Sequence, residues 1–392
     1  MYCELLKRSV DSTVSTLYYL REEKNANLKR VWKASNLSKI ANAEVNLNIH
    51  FPLQTDRQGI GFGNFNPNPT PGDRRKLVIP KAHFFSEQKR IAHASTLQRQ
   101  GIWLKWSENT LPFDFSWQNL IWNYNAKIIS FVLNASVNWV KTPDLLHLWG
   151  MKTSACCTLC RAEKCTLHHI LSNCKIALTT KRYTWRHDSV LFHIKTTLQE
   201  HISAINKSPK VDKNRHISQY FVKAGTKISS KHGKHKSGKS ELDGATDWEL
   251  LADFDNEKIV FPPEITCTNE RPDIVIWSQT LQKVILIELT CPAEEGLEAA
   301  SVRKQTKYLP LLSQIKSTKK WKPVLLTIEV GVRGFVSNSI WKCLISIGLP
   351  RANTKKLCKT LSLVAAKCSY TIYLASESHS WNENRPLLCD VI

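Results

Sequence analysis

The sequence predicts a multidomain chain of mixed class: a helical N-terminal region with a small cysteine-histidine knuckle, then a separate αβββαβ domain. Three observations point there. Cysteines and histidines crowd between 156 and 174 and are followed by helical periodicity. A lysine-rich polar stretch comes next. Beyond residue 246, short apolar β-like runs surround one long amphipathic segment. At 392 residues the chain has room for two or three domains, and 42% apolar residues with 13 Trp and 13 Phe supply their cores.

Residues 1–80 carry no assigned role. The first 30 read as helical and charged, and Gly59–Gly72 (GIGFGNFNPNPTPG) reads as a linker, because Pro, Gly and Asn at this density break regular structure. Residues 81–149 read as a helical region, with Ser86–Ile91, Trp103–Trp106 and the apolar run Ile128–Leu133 as its marks. The knuckle and a basic helix fill 150–205. A basic flexible linker is expected over 206–245, where Lys231, Lys234 and Lys236 stand among Ser, Gly and His as a candidate nucleic-acid-binding arm. The α/β domain is expected over 246–392, and no internal repeat is evident.

Charge narrows the partners. Lys+Arg number 55 against 33 Asp+Glu, a net charge of +22, and such a balance favours a polyanion, nucleic acid first and an acidic membrane second. DNA is the expected partner, with RNA as a second candidate and the nucleus as the expected compartment. No window approaches the roughly 20 apolar residues of a membrane span. Met1–Arg8 offers no apolar signal core, so secretion is not expected, and no membrane partner is expected. The 12 cysteines are clustered rather than spread as a disulfide framework, which reads as metal binding in a reducing compartment.

The pattern Cys157-x2-Cys160-x8-His169-x4-Cys174 offers three thiolates and an imidazole on short loops, the tetrahedral soft-ligand set that structural zinc takes. Cys156, Cys165 and His168 lie beside these positions as alternatives, and His169 is preferred for its four-residue gap to Cys174. Just beyond, Arg182 and Arg186 are four apart and share a helix face suited to phosphate, with His187 beside them. Trp185 either stacks on a base or belongs to a core.

In the C-terminal part, Thr246-Asp-Trp-Glu249 resembles a helix capping box, so a helix is expected through Asp253. Strands are expected at Lys258–Phe261, Asp273–Trp277, Val284–Leu289 and Pro323–Val330, with a helix over 294–313 before the last. That order is the one found in PD-(D/E)xK nucleases, and Pro272-Asp273 with Glu288 fall on its acidic positions. The lysine of that signature is missing, because Thr290 stands in its place. At about 100° per residue, Leu297, Ala300, Lys304, Tyr308, Leu311 and Ile315 form one stripe. A lysine within an apolar stripe needs a partner, so Lys304 is expected to reach Asp273 and Glu288, with Lys307 in reserve and Pro310 a possible bend beyond them. Asp273 and Glu288 are then candidate ligands for Mg²⁺ or Mn²⁺ in phosphodiester hydrolysis, with Glu249 or Asp253 completing the shell.

Taken together, the CCHC knuckle, Arg186-His-Asp188, Arg271-Pro-Asp273, Glu288-Leu-Thr and Arg303-Lys304-Gln-Thr-Lys307-Tyr308 resemble the C-terminal half of R2-like non-LTR retrotransposon proteins. The resemblance covers roughly residues 85–200 and 246–340. It implies a zinc knuckle joined to a restriction-like endonuclease that nicks one target strand. It also implies a catalytic lysine on the helix after the second acid, which points to Lys304, Lys307 and Tyr308. No Tyr-x-Asp-Asp pair is present, so a truncated element or host-retained remnant without reverse transcriptase activity is expected. Two rivals stand beside it: a non-catalytic DNA- or RNA-binding remnant, and a protein-interaction module with a purely structural knuckle.

Overall fold

A computed structural model describes residues 54–56, 59–61, 84, 87–99, 101–105, 110–111, 126–207, 240–254 and 260–382. The readings made for residues 1–30 and for Lys231, Lys234 and Lys236 lie outside them. The chain divides into two compact units, Met1–Gly101 and Ile102–Ile392. In the first, β1 (Gln54–Asp56) pairs antiparallel with β2 (Gly59–Gly61), so the opening residues of the expected linker belong to a hairpin. The same unit holds a helix over 87–96.

The second unit is a mixed α/β assembly. Its helices α1 (Ala126–Ser136), α2 (Pro143–Leu148), α3 (Lys175–Thr179) and α4 (Arg182–Lys207) precede strands β3 (Trp248–Ala252), β4 (Ile274–Ser278) and β5 (Lys283–Thr290). Helix α5 (Leu297–Ser317) carries the chain to β6 (Lys322–Glu329), and α6 (Asn338–Ile347) and α7 (Arg351–Leu374) complete the unit. The sheet order is β3-β4-β5-β6: β4 is antiparallel to both β3 and β5, and β6 is parallel to β5. A parallel neighbour requires a crossover, and α5 is that crossover.

Side-chain alternation divides the two faces of the sheet. Ile274, Ile276, Ile285, Ile287 and Leu289 pack with Val190, Leu191, Ile194, Leu198 and Ile202 of α4 and with α6 and α7. Val275, Trp277, Val284 and Leu286 pack with Tyr308, Leu311 and Ile315 of α5. Burial on both faces explains why β4 and β5 read as continuous apolar runs instead of alternating ones. Helix α4, expected to belong with the knuckle, shares its core with the sheet. The lysine-rich stretch therefore interrupts the sequence without separating two cores.

Two expected elements are corrected. Thr246–Asp253 does not form a capped helix; Trp248–Ala252 is the first strand of the sheet, registered Trp248 to Ser278 and Ala252 to Ile274. Asp247 accepts hydrogen bonds from Ser278 Oγ (2.6 Å) and from the Thr280 amide and hydroxyl (2.8 Å each), so it caps the β4–β5 turn rather than a helix. Val260 and Phe261 lie in no strand, and Lys258 and Ile259 fall outside the described residues. The observed order is α4-β3-β4-β5-α5-β6, with an opening helix and a first strand other than those expected. Pro310 sits inside α5 without ending it.

Candidate active site and metal centre

The pairing of Ile274 with Ile287 places Asp273, one residue before β4, opposite Glu288 on β5. Both alternate onto the α5 face, at the end of the sheet where β4 begins. Asp273 Oδ2 accepts the Leu289 amide at 2.6 Å, and the Asp273 amide donates to Glu288 Oε2 at 3.3 Å. The carboxylates are thus held by backbone contacts where β4 and β5 begin to pair.

Helix α5 then brings the lysine. Lys304 Nζ donates to Glu288 Oε1 in an ion pair whose carboxylate is 2% exposed. The stripe expected from the sequence is the buried face of α5: Leu297, Ala300, Tyr308, Leu311 and Ile315 are all buried, with Lys304 among them reaching the acid. Burial first, and Asp273 second, push the Glu288 carboxyl above its ordinary range, while Lys304 pulls the other way. Lys307 points elsewhere, 3.3 Å from Glu270 and 3.1 Å from the Tyr308 hydroxyl. Tyr308 donates to the Arg271 carbonyl at 2.9 Å, and burial followed by Glu288 raises its pKa, so the phenol keeps its proton.

Of the two acids offered as further ligands, Asp253 is the nearer. Its amide donates to the Asp273 carbonyl (2.8 Å) and its Oδ1 takes Arg271 Nη2 (2.6 Å). Glu249 is registered to Trp277, four residues along β4 from Asp273, and is solvent-exposed. At about 3.4 Å per residue this puts it roughly 13 Å down the strand, too far to share the site.

His187 joins the acids from the other side. Its Nε2 lies 3.4 Å from Asp273 Oδ2 and 3.3 Å from the Leu289 carbonyl, and its Nδ1 is 2.9 Å from Asp188 Oδ1. Burial opposes its protonation, but the bonds to Asp188 and Asp273 outweigh it and hold the imidazole well above its ordinary pKa. Expected among the nucleic-acid contacts, His187 instead braces Asp273.

The other residues of that segment are corrected too. Arg182 and Arg186 are 0% and 1% exposed, so neither can grip a phosphate. Arg182 donates to the Ala375 and Ser378 carbonyls (2.7 and 2.8 Å). Arg186 donates to Leu171 O (3.0 Å), Cys291 O (3.4 Å) and Ser369 Oγ (3.1 Å). Their shared face is the buried face of α4. Trp185 packs edge-on to Trp381 at 5.3 Å in the knuckle core, which decides between its two readings.

The second cluster is the cysteine-histidine group. The ligand atoms of Cys157, Cys160, His169 and Cys174 all lie within 4.8 Å of one another, so these four residues can hold a metal ion. Cys157 Sγ is 4.0 Å from Cys174 Sγ, and Cys160 Sγ is 3.3 Å from His169 Nε2. The first turn is closed by Cys157 N to Ala162 O (2.8 Å) and Arg161 N to Cys157 O (3.0 Å), with Arg161 in the left-handed region. Tyr183 of α4 accepts the Cys174 amide (3.0 Å) and donates to Ile170 O (2.9 Å), tying the last ligand to the next helix. His168 turns away to Asn173, Cys156 is exposed, and Cys165 is buried in the core without joining the cluster.

Sequence reasoning missed two buried carboxylates. Glu294 pairs with Arg333, and Glu329 sits on β6 with Oε2 taking Ser339 Oγ and Oε1 unpartnered. Glu329 is registered beside Thr290, whose hydroxyl is also orphaned. No local pattern marks either acid, because each is defined by partners elsewhere in the chain. Among the described residues no helix is long and apolar enough to cross a membrane. Comparison with protein-family models finds no match to this chain, and comparison with curated proteins finds none either.

Proposed function

We propose that the chain is a retrotransposon-derived, nucleus-acting DNA-binding protein carrying a metal-dependent endonuclease of PD-(D/E)xK type, with the Cys157/Cys160/His169/Cys174 knuckle as a structural zinc site. One observation carries this reading. Lys304 arrives from the helix after the second acid and meets Glu288, with Asp273 fixed beside it on the paired strand. This is the lysine placement that compensates for Thr290.

Carboxylate oxygens are the ligands a hard divalent cation takes. The strand pairing sets Asp273 and Glu288 side by side, with the Asp273 amide 3.3 Å from Glu288 Oε2. Asp273 and Glu288 would hold Mg²⁺ or Mn²⁺, with Asp253 adjacent, and the bound ion would supply Lewis acidity and a more acidic water. The chain's own residues do the positioning. The Leu289 amide and His187 fix the Asp273 carboxylate, and Lys304 offers an ammonium beside Glu288 to orient water or balance charge on the phosphate. Tyr308 anchors the Arg271 carbonyl and so steadies the turn into Asp273. In the knuckle, three sulfurs and one imidazole nitrogen match zinc's preference for soft tetrahedral ligands.

The test is nicking of supercoiled plasmid with Mg²⁺ or Mn²⁺ by the wild type, Asp273→Ala, Lys304→Ala and Lys307→Ala. The proposal expects nicking by the wild type and by Lys307→Ala, and a fall of at least 100-fold in the other two. Activity surviving Lys304→Ala would move the lysine's role. No nicking by folded, DNA-binding wild type would leave a binding protein with a silent site, the reading favoured if Lys304 holds Glu288 against metal.

A further inference from the structure

Two buried oxygens stand unpartnered on the same sheet face as the acid pair. Thr290 and Glu329 are the last residues of β5 and β6 and face each other in the parallel register. Thr290 lies two residues beyond Glu288 on one strand, so both side chains alternate onto the α5 face. Glu329 is 2% exposed and Thr290 8%. Glu329 Oε1 and Thr290 Oγ1 are enclosed and make no hydrogen bond, to each other or to any other described residue.

The surroundings are rich in oxygen and hold no free cation. Glu329 Oε2 takes the Ser339 hydroxyl in the first turn of α6. Ser301 of α5 and Thr327 of β6, 2.8 Å apart, border the same carboxyl, as does Ser337. Lys304, the ammonium on this face, is committed to Glu288. A buried carboxylate is costly unless it is compensated. Because the two orphaned oxygens do not meet, a proton on Glu329 would leave Thr290 as it is. One cation between the strand ends serves both. Carboxylate and hydroxyl oxygens are the ligands that hard ions take, and α/β sheets gather ligands at the carboxyl ends of their parallel strands.

We infer that Glu329 and Thr290 form a site for a hard divalent cation of the Mg²⁺ or Mn²⁺ type, separate from the Asp273–Glu288 pair. Two strand positions, about 7 Å, separate Thr290 from Glu288. Asp273 belongs to the strand on the opposite side of β5 from Glu329. Such an ion would tie β6, the edge strand, to β5 and to the start of α6, whether or not the acid pair cleaves DNA.

The test counts Mn²⁺ bound to the full chain by electron paramagnetic resonance of the free ion, in buffer cleared of other divalent metals. The wild type is compared with Glu329→Gln, Thr290→Val, Thr290→Ser and Asp273→Ala. Glu329→Gln should bind one Mn²⁺ fewer per chain than the wild type. Thr290→Val should weaken one Mn²⁺ by about 10-fold or more, and Thr290→Ser, which keeps the oxygen, should match the wild type. Asp273→Ala should keep the ion that Glu329→Gln loses. A wild-type count in Glu329→Gln overturns the inference and assigns the orphaned oxygens to a proton or a water. Loss of one and the same ion in Glu329→Gln and Asp273→Ala also overturns it, because the acids then share a single site. An ion lost in Asp273→Ala alone overturns this site and leaves the acid-pair reading standing, whereas a wild type that binds no Mn²⁺ overturns both. Circular dichroism establishes that the variants are folded. Equal weakening in Thr290→Val and Thr290→Ser assigns the effect to packing and overturns the inference.

Discussion

Arg333 and Glu294 form a wholly buried ion pair, Nη1 to Oε2 at 2.7 Å, with side chains 1% and 0% exposed. The Arg333 amide also donates to Glu294 Oε1 at 2.6 Å, and its second guanidinium nitrogen reaches Glu295 (3.0 Å) and Asn138 Oδ1 (2.9 Å). The pair joins the short turn that leads into the crossover helix to the turn after β6. Removing one partner strands a charge, whereas removing both does not. Arg333→Met should therefore lose about 3–5 kcal/mol in urea unfolding. Arg333→Met combined with Glu294→Leu should lose clearly less, and equal losses would refute a charge-stranding mechanism.

Glu329 should show the opposite sign of charge effect. Burial raises its folded-state pKa despite hydrogen bonds from Ser339 and its neighbours, and one oxygen lacks a partner. A raised carboxyl stabilises the fold fully below its unfolded pKa, and that contribution is lost as pH rises through the folded value. Glu329→Gln should thus unfold at higher urea than the wild type at pH 8, with the gap closing towards pH 4. A gap that widens on acidification would reverse the assignment.

The knuckle ligands make a discriminating set. Under the proposed zinc reading, Cys174→Ser and His169→Ala should purify without the metal that the wild type carries, measured as zinc per chain by atomic emission. Both should have a lower unfolding midpoint, as chelated wild type should. Cys165→Ser and His168→Ala should keep one ion per chain, because neither residue belongs to the cluster. Zinc retained in His169→Ala but lost in His168→Ala would exchange their roles.

Arg186 should behave as a structural residue. Its guanidinium links the knuckle carbonyl of Leu171, the Cys291 carbonyl after β5 and Ser369 on α7. Arg186→Leu leaves those buried acceptors unsatisfied and should cost roughly 2–4 kcal/mol of stability. In whatever fraction remains folded, the salt slope for duplex binding should stay that of the wild type. A shallower slope would return Arg186 to the surface.

What the sequence disclosed follows from the range of the interactions. The grouping of Cys157, Cys160, His169 and Cys174 was legible because the four fall within 18 residues, so spacing alone brings them close. Lys304 was legible as the lone cation on an apolar stripe, a local contradiction that only a buried acid resolves. Thr246–Asp253 misled because a capping pattern was present, yet Asp247 uses its oxygens on the β4–β5 turn and the pairing with β4 overrides it. Arg182 and Arg186 misled because a periodic pair of arginines looks the same whether its face is wet or dry. The brace between His187 and Asp273 spans 86 positions and leaves no trace in either neighbourhood.

The clasp between α4 and the first strand of the sheet has a consequence for how the acids are placed. Asn206, at the end of α4, holds the backbone of Trp248 on β3 at 2.8 and 3.1 Å. Ser240 is fixed in the same neighbourhood, at the α6–α7 corner near His201 of α4. The first strand, and through its pairing the acids, is therefore indexed directly on α4 by groups 42 positions apart in sequence.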